Sequence, residues 1–222
     1  MFDASVMPPL LLTLKVSTLA TALACVPAIL LARLACVRSF PGRDLADATL
    51  TLPMVLPPTV LGYYIIVFLG RRGIVGKYLW EEFGFNIMFT WEGAVLAAAV
   101  VAFPLVYRSA RAAFDGVDQN LENAARTLGA SETAIFFRVS LPLALRGLLA
   151  GVMLAQARAM GEFGATLMVA GNLPGKTQTM SLAVYSAMAA NNESLANELV
   201  LIISVVCVTL LVVVAKVIKP KT

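Results

Sequence analysis

The chain has 222 residues, of which 59% are hydrophobic and 14% charged, with a mean hydropathy of +0.85. Soluble domains carry about a quarter charged residues, so this composition excludes an ordinary soluble domain and indicates a polytopic membrane protein. The net charge of +4 does not mark a nucleic-acid binder, because Lys and Arg sit mainly at the ends of apolar runs instead of on one patch.

No histidine is present, which removes His-based catalytic triads, His-containing zinc sites and His-ligated haem. Cys25, Cys36 and Cys207 lack metal-like spacing and read as apolar packing residues. Met1 to Ser5 lack the basic region of a cleaved signal, so the first apolar run is expected to remain as a membrane helix.

A spanning helix needs about 20 mostly apolar residues. Five segments meet that length, near Pro9–Leu34, Leu50–Leu69, Gly93–Ala112, Pro142–Met160 or beyond, and Leu199–Ile218. Ser181–Ala190 is apolar but too short to cross, and reads as an interfacial or re-entrant helix. The second span contains Pro53, Pro57 and Pro58. Proline removes a helical hydrogen bond and clashes with the preceding turn, so this span should kink or unwind. In lipid the freed backbone must be covered by protein or face a water-filled cavity. The segment is therefore expected to face the interior, as a packing kink or as part of a pathway.

Two glycine-rich stretches resemble phosphate loops only superficially. That pattern needs Gly, four residues, then Gly-Lys-Ser/Thr. In "AGNLPGKTQT" Ala170 stands at the first position, and in "GRRGIVGKY" Arg71 does and Tyr78 follows the Lys. Neither is a nucleotide site, so any ATP must be hydrolysed elsewhere.

Between the third and fourth spans the chain turns polar. Asp118 is a good N-cap for a helix from Gln119, and Gly129 a good residue just past its end. Leu121, Ala125 and Leu128 form a narrow apolar stripe, with Glu122 and Arg126 away from it. Ser131 can cap a second short helix that carries Ile135, Phe136 and Val139 as a larger apolar surface. Pro142 suits the first turn of the next span. The result is a helix–Gly–helix elbow over residues 118–142, and an amphipathic helix of this kind is a common offer to a partner's groove.

In the fourth span Arg158 and Glu162 are four residues apart, on one helix face. Intramembrane charges usually pair and face the bundle interior. Gly161, Gly164 and Ala165 beside them allow close helix approach. The pair is read as mutually neutralised, with passage of an anion past Arg158 as the other reading. Cytoplasmic loops carry the excess of Lys and Arg. With the N-terminus outside, eleven of the 17 fall in inner loops or at inner ends. Four (Arg71, Arg72, Lys77, Lys176) are outer, and Lys15 and Arg158 lie within spans. This count favours an outer N-terminus, a cytoplasmic C-terminus and a cytoplasmic elbow.

The elbow resembles a motif of binding-protein-dependent ABC importers: Glu-Ala-Ala, three residues, Gly, nine residues, Ile, one residue, Leu-Pro. Here Asn123-Ala124-Ala125, Gly129 and Val139-Ser140-Leu141-Pro142 keep both spacings. Asn123 stands where the family has Glu, with Glu122 one position earlier, which leaves open which of the two makes the polar contact. "MVLPPTVLGYY", "GRRGIVGKYL", "WEGAVLAAAVVAFPLVYRSARAAFDGVDQNLENAARTLGA" and "RAMGEFGATLMVAGNLPGKTQT" are similar to molybdate permeases, and "GEFGA" also to sulfate permeases.

The resemblance implies an all-α, type I importer permease (MetI-like) fold in one domain, 1–222, in a bacterial inner membrane. It implies a homodimer whose first helix wraps the partner, two separate ATPase subunits holding ATP and Mg, and a periplasmic oxyanion-binding protein. This chain would bind no cofactor and no metal and have no catalytic residue. The coupling residues it points to are Glu122, Asn123, Ala124, Ala125, Leu128, Gly129, Phe136, Leu141 and Pro142. Pro53, Pro57, Pro58, Arg158, Gly161, Glu162 and Gly164 are the pathway or packing residues. The implied cargo is molybdate, with sulfate or tungstate as same-family alternatives. A secondary transporter or channel would be a different machine.

Overall fold

The computed structural model describes residues 6–37 and 41–218. Residues 1–5, on which the signal reading rests, and Arg38, Lys219 and Lys221 of the charge count lie outside the described residues. Among these the fold is wholly helical.

Helix α1 (Met7–Val37) buries Ala20, Ala24, Ala28 and Ala32, a stripe of small residues at i, i+4 spacing. Such a stripe lets two backbones approach closely. It lies mainly against α5 (Trp91–Asp115), whose Ala94, Ala98 and Ala102 are also fully buried, and secondarily against α8 (Leu141–Met160). The first helix thus packs on its own chain through this stripe, and Leu19, Leu23, Val26 and Leu30 stay exposed on its other side. Helix α5 is the hub, with Val106, Tyr107 and Phe114 completing the core.

The second span is not one helix. Helix α2 (Arg43–Thr51) and a 3-10 turn (Leu52–Met54) meet α3 (Pro58–Leu69) at 107°. The cause is Pro57-Pro58: a residue before proline is pushed out of the helical region, and Pro57 is extended at φ −55°, ψ 137°. Of the two expected outcomes, a kink or an unwinding, the helix is interrupted outright. Leu61 and Ile65 on α3 do face the interior, but Met54 and Val55 at the break are exposed. Among the described residues four helices are long and apolar enough to cross a membrane, and the bent pair makes a fifth if counted as one span.

Helix α4 (Ile74–Phe83) occupies the loop between spans. Beyond α5 come α6 (Gln119–Thr127) and α7 (Glu132–Ile135), the two arms of the elbow. The chain then runs through a π turn (Phe136–Ser140) directly into α8, so Glu132–Met160 is one continuous rod of 29 residues. Pro142 stands in the first turn of α8, as expected, but that helix continues the elbow without a gap. Pro142 has no N–H for the carbonyl four residues back, and the ladder widens there, with the Leu141 N–H donating to Phe136 O. Past α8 the chain breaks and forms α9 (Gly164–Ala170), α10 (Met180–Ala189) and α11 (Glu193–Ile218). Helix α10 is the short apolar segment anticipated at 181–190.

Candidate functional site

The elbow's local structure follows its sequence. The Asp118 carboxylate accepts the Asn120 N–H at 2.9 Å and opens α6. Gly129, at φ +81°, closes it in the left-handed region. Its N–H reaches Arg126 O and the Ala130 N–H reaches Ala125 O, the paired bonds of a Schellman ending. The Ser131 hydroxyl then accepts the Ala134 N–H and starts α7. Arg126 spans the turn, donating to Asn123 at 2.8 Å and to both Glu132 oxygens at 2.6 and 3.0 Å. That bond with Arg126 holds the Glu132 carboxyl below its ordinary pKa.

Two faces of the elbow differ sharply. Leu128 is 88% exposed at the tip, flanked by exposed Leu121, Asn123 and Ala124 and half-buried Ala125. Glu122, on the same short helix, is only 7% exposed. Its carboxylate pairs with Arg33 of α1 at 2.9 Å, accepts the Ser140 hydroxyl at 2.6 Å and lies 3.6 Å from Arg126. Burial alone would raise the pKa of this carboxyl. The Ser140 hydrogen bond and the Arg33 and Arg126 charges outweigh it, so the group sits below the ordinary glutamate value. Arg33 also lies over the Phe114 ring, 5.8 Å from its centroid. A polar cleft of about 220 Å³ opens between Arg33, Phe114, Glu122 and Arg126.

Of the two candidates for the polar contact, Glu122 turns into the chain's own core, and Asn123 is exposed with its amide oxygen accepting from Arg126. The expected apolar surface of the second arm also turns inward. Ile135 is fully buried and Phe136 is half-buried against Phe114 at 6.1 Å between centroids, leaving exposed Phe137 as the outward aromatic. Leu141 is half-buried and Pro142 exposed. The sequence reading missed Arg33, Phe114 and Ser140. Their only signal was polarity or bulk at the edge of an apolar run, since their partners lie on other elements.

At the opposite end of α8, Arg158 donates to Glu162 at 2.8 Å. Glu162 lies beyond the helix end, not on its face: α8 stops at Met160, and the second Glu162 oxygen accepts the Ala165 N–H of the first turn of α9 at 2.9 Å. Glu162 is 3% exposed. Gly161 is the exposed residue after α8, and Gly164 is where α9 meets the proline break. A Cβ on Gly164 would stand 2.9 Å from the Pro58 Cβ. Pro53 is half-buried beside a groove of about 330 Å³ that Pro27 and Phe103 also line, and Pro57 is exposed. The proline break and the Arg158–Glu162 break are thus adjacent, while the elbow is remote from both. No group of three or more Cys, Asp or Glu placed to hold a metal occurs among the described residues.

The helical arrangement is that of an ABC importer permease. The solved inward-facing MetNI methionine ABC transporter matches over 96% of this chain and 94% of its own, with a TM-score of 0.74 at 17% identity. The family model for the binding-protein-dependent transport system inner membrane component covers residues 17–222, and the chain belongs to that family. It is 50% identical over 176 residues to the molybdenum transport system permease protein ModB of Escherichia coli strain K12, covering 79% of this chain and 77% of that protein. The sulfate transport system permease protein CysW of Synechococcus elongatus is less similar. It is 40% identical over 150 residues, and the chain spans about half of its length (52%).

Proposed function

We propose that the chain is the permease subunit of an ATP-driven importer that moves molybdate across a bacterial inner membrane. The observation that carries the cargo is the 50% identity with a molybdenum permease along 79% of the chain. Sulfate is the second reading, favoured by the 40% identity with a sulfate permease. Two copies form the pathway, with two ATPase subunits holding ATP and Mg on the cytoplasmic side and a periplasmic oxyanion-binding protein on the other. The N-terminus lies outside, and residues 1–222 form a single permease domain. The chain performs no catalysis and binds no cofactor or metal of its own.

The mechanism is alternating access. Closure of the ATPase dimer on ATP draws the two elbows together, the helices open outward, and hydrolysis resets them. The outward Leu128 and Asn123 enter the ATPase groove, while Glu122, Ile135 and Phe136 root the elbow in the permease. Arg158 is read as half of a structural pair, supported by its bond to Glu162. The test is reconstitution with an ATPase subunit and a binding protein in proteoliposomes. Molybdate should enter only with MgATP, and excess sulfate should compete weakly. Uptake without nucleotide would mean a channel or secondary transporter. Sulfate competing as well as unlabelled molybdate would move the cargo assignment.

A further inference from the structure

The elbow is tied to more than the helix it leads into. Three elements converge on one carboxylate: Glu122 of α6, Arg33 near the end of α1, and Ser140 in the last position of the π turn that feeds α8. The Arg33 side chain is only 13% exposed and that of Glu122 9%. Truncating one member of such a buried pair leaves the other without its partner, at considerable cost, so the joint resists sliding apart. Helix α1 is in turn laid along α5 over its alanine stripe and hydrogen-bonds α8 further along, where the Gln156 amide donates to Ser17 at 2.8 Å. A displacement of the elbow therefore has two routes into the bundle, through the rod of α7 and α8 and through Glu122 into α1. A π turn at the start of the first route gives that rod a compliant point, since its ladder is locally widened. The second route bypasses it.

We propose that Glu122, with Arg33 and Ser140, is a positioning residue for coupling: it fastens the elbow to the first helix so that α1 moves with the elbow when the ATPase subunits close. This rests on the elbow being the ATPase handle. Glu122 is buried where Leu128 is exposed, so its role differs from that of the Leu128 tip.

The test uses the permease co-expressed with its ATPase and reconstituted with molybdate-loaded binding protein. In Glu122→Gln and Arg33→Met, molybdate carried per ATP hydrolysed should fall about tenfold, within the usual range of coupling effects. Combining the two should cost little more than either alone, because they break one joint. Ser140→Ala, which keeps the charge pair, should lie between these variants and the parent. A ratio unchanged in Glu122→Gln and Arg33→Met overturns the proposal. Leu128→Asp is the separate control: it should lose the ATPase on purification, and if it does not, the handle reading itself fails.

Should the buried-pair variants not fold, spin labels decide the matter in the parent sequence. With the three native cysteines replaced, labels at exposed Leu34 and Asn120 should keep the same separation with and without MgATP. A separation that changes on nucleotide binding shows the elbow moving independently of α1 and overturns the proposal.

Discussion

The two ends of the rod that contains α8 carry the same pair of residue types in different settings. At one end Glu162 is buried with Arg158, four residues away, and the Ala165 N–H, three residues away. At the other Glu122 is buried with Arg33, 89 positions away, and Ser140. The first arrangement is closed on itself and holds a chain break in place. The second joins three elements that would otherwise be separable. Burial of a glutamate does not by itself indicate a role; the sequence distance to its partners separates a local brace from a connection between moving parts.

The sharpest way to break this comparison is Glu162→Ala. It should lower stability by about 3 kcal/mol, the lower end for breaking a buried pair because Arg158 keeps some solvent, read as a fall in the thermal unfolding midpoint in detergent. A midpoint equal to the parent's would mean that the α3–α9 packing alone holds the break. Next, Leu128→Asp should weaken ATPase docking by about 2 kcal/mol, roughly thirtyfold. As an exposed position it should change the permease's own stability by less than about 0.5 kcal/mol. Phe136→Asp should do the reverse first, unfolding the root against Phe114 before docking can be measured.

Smaller effects come from two glycines needed for different reasons. Gly164→Ala should cost about 1–2 kcal/mol through overpacking against Pro58, and a bulkier side chain should cost more. Gly129→Ala meets no neighbour within 4 Å. It should cost about 1 kcal/mol from its left-handed backbone alone, little changed by larger side chains. Equal dependence on size at both positions would erase the distinction.

The smallest effect is on acidification. The Glu122 carboxyl is lowered in the folded protein, so its stabilisation is fully present above the ordinary value of 4.5. It is lost as the pH falls below that value and through the folded one. Unfolding midpoints from pH 7 downward should therefore drop less steeply for Glu122→Gln than for the parent. Parallel curves would show that this carboxyl contributes nothing to the acid response.

What could be read from the chain alone were the features fixed by neighbours in sequence. The caps at Asp118 and Ser131, the left-handed Gly129, the lengths of the long apolar helices and the Arg158–Glu162 pairing all depend on spacings of a few residues. The site of the proline break was legible, but not its 107° angle, nor the close approach of α3 to α9 at Gly62 and Gly164, which no local spacing sets. The inward turn of Ile135 and Phe136 was misread because an apolar face looks the same whether a partner or the chain's own core will cover it. The Glu122 joint was invisible for the same reason that makes it informative, since Arg33 and Ser140 are brought to it only by the fold.

The uninterrupted run from Glu132 to Met160 has a mechanical consequence. Its segment before Leu141 is about 13 Å long and the segment after it about 30 Å, at the helical rise. A bar pivoting near that junction is a crank with unequal arms. The π turn sits in that junction, so its compliance sets how much of a displacement at the short arm reaches the Arg158–Glu162 end. The rod thus sets the elbow's second arm and the Arg158–Glu162 brace on one helical path with no chain break between them.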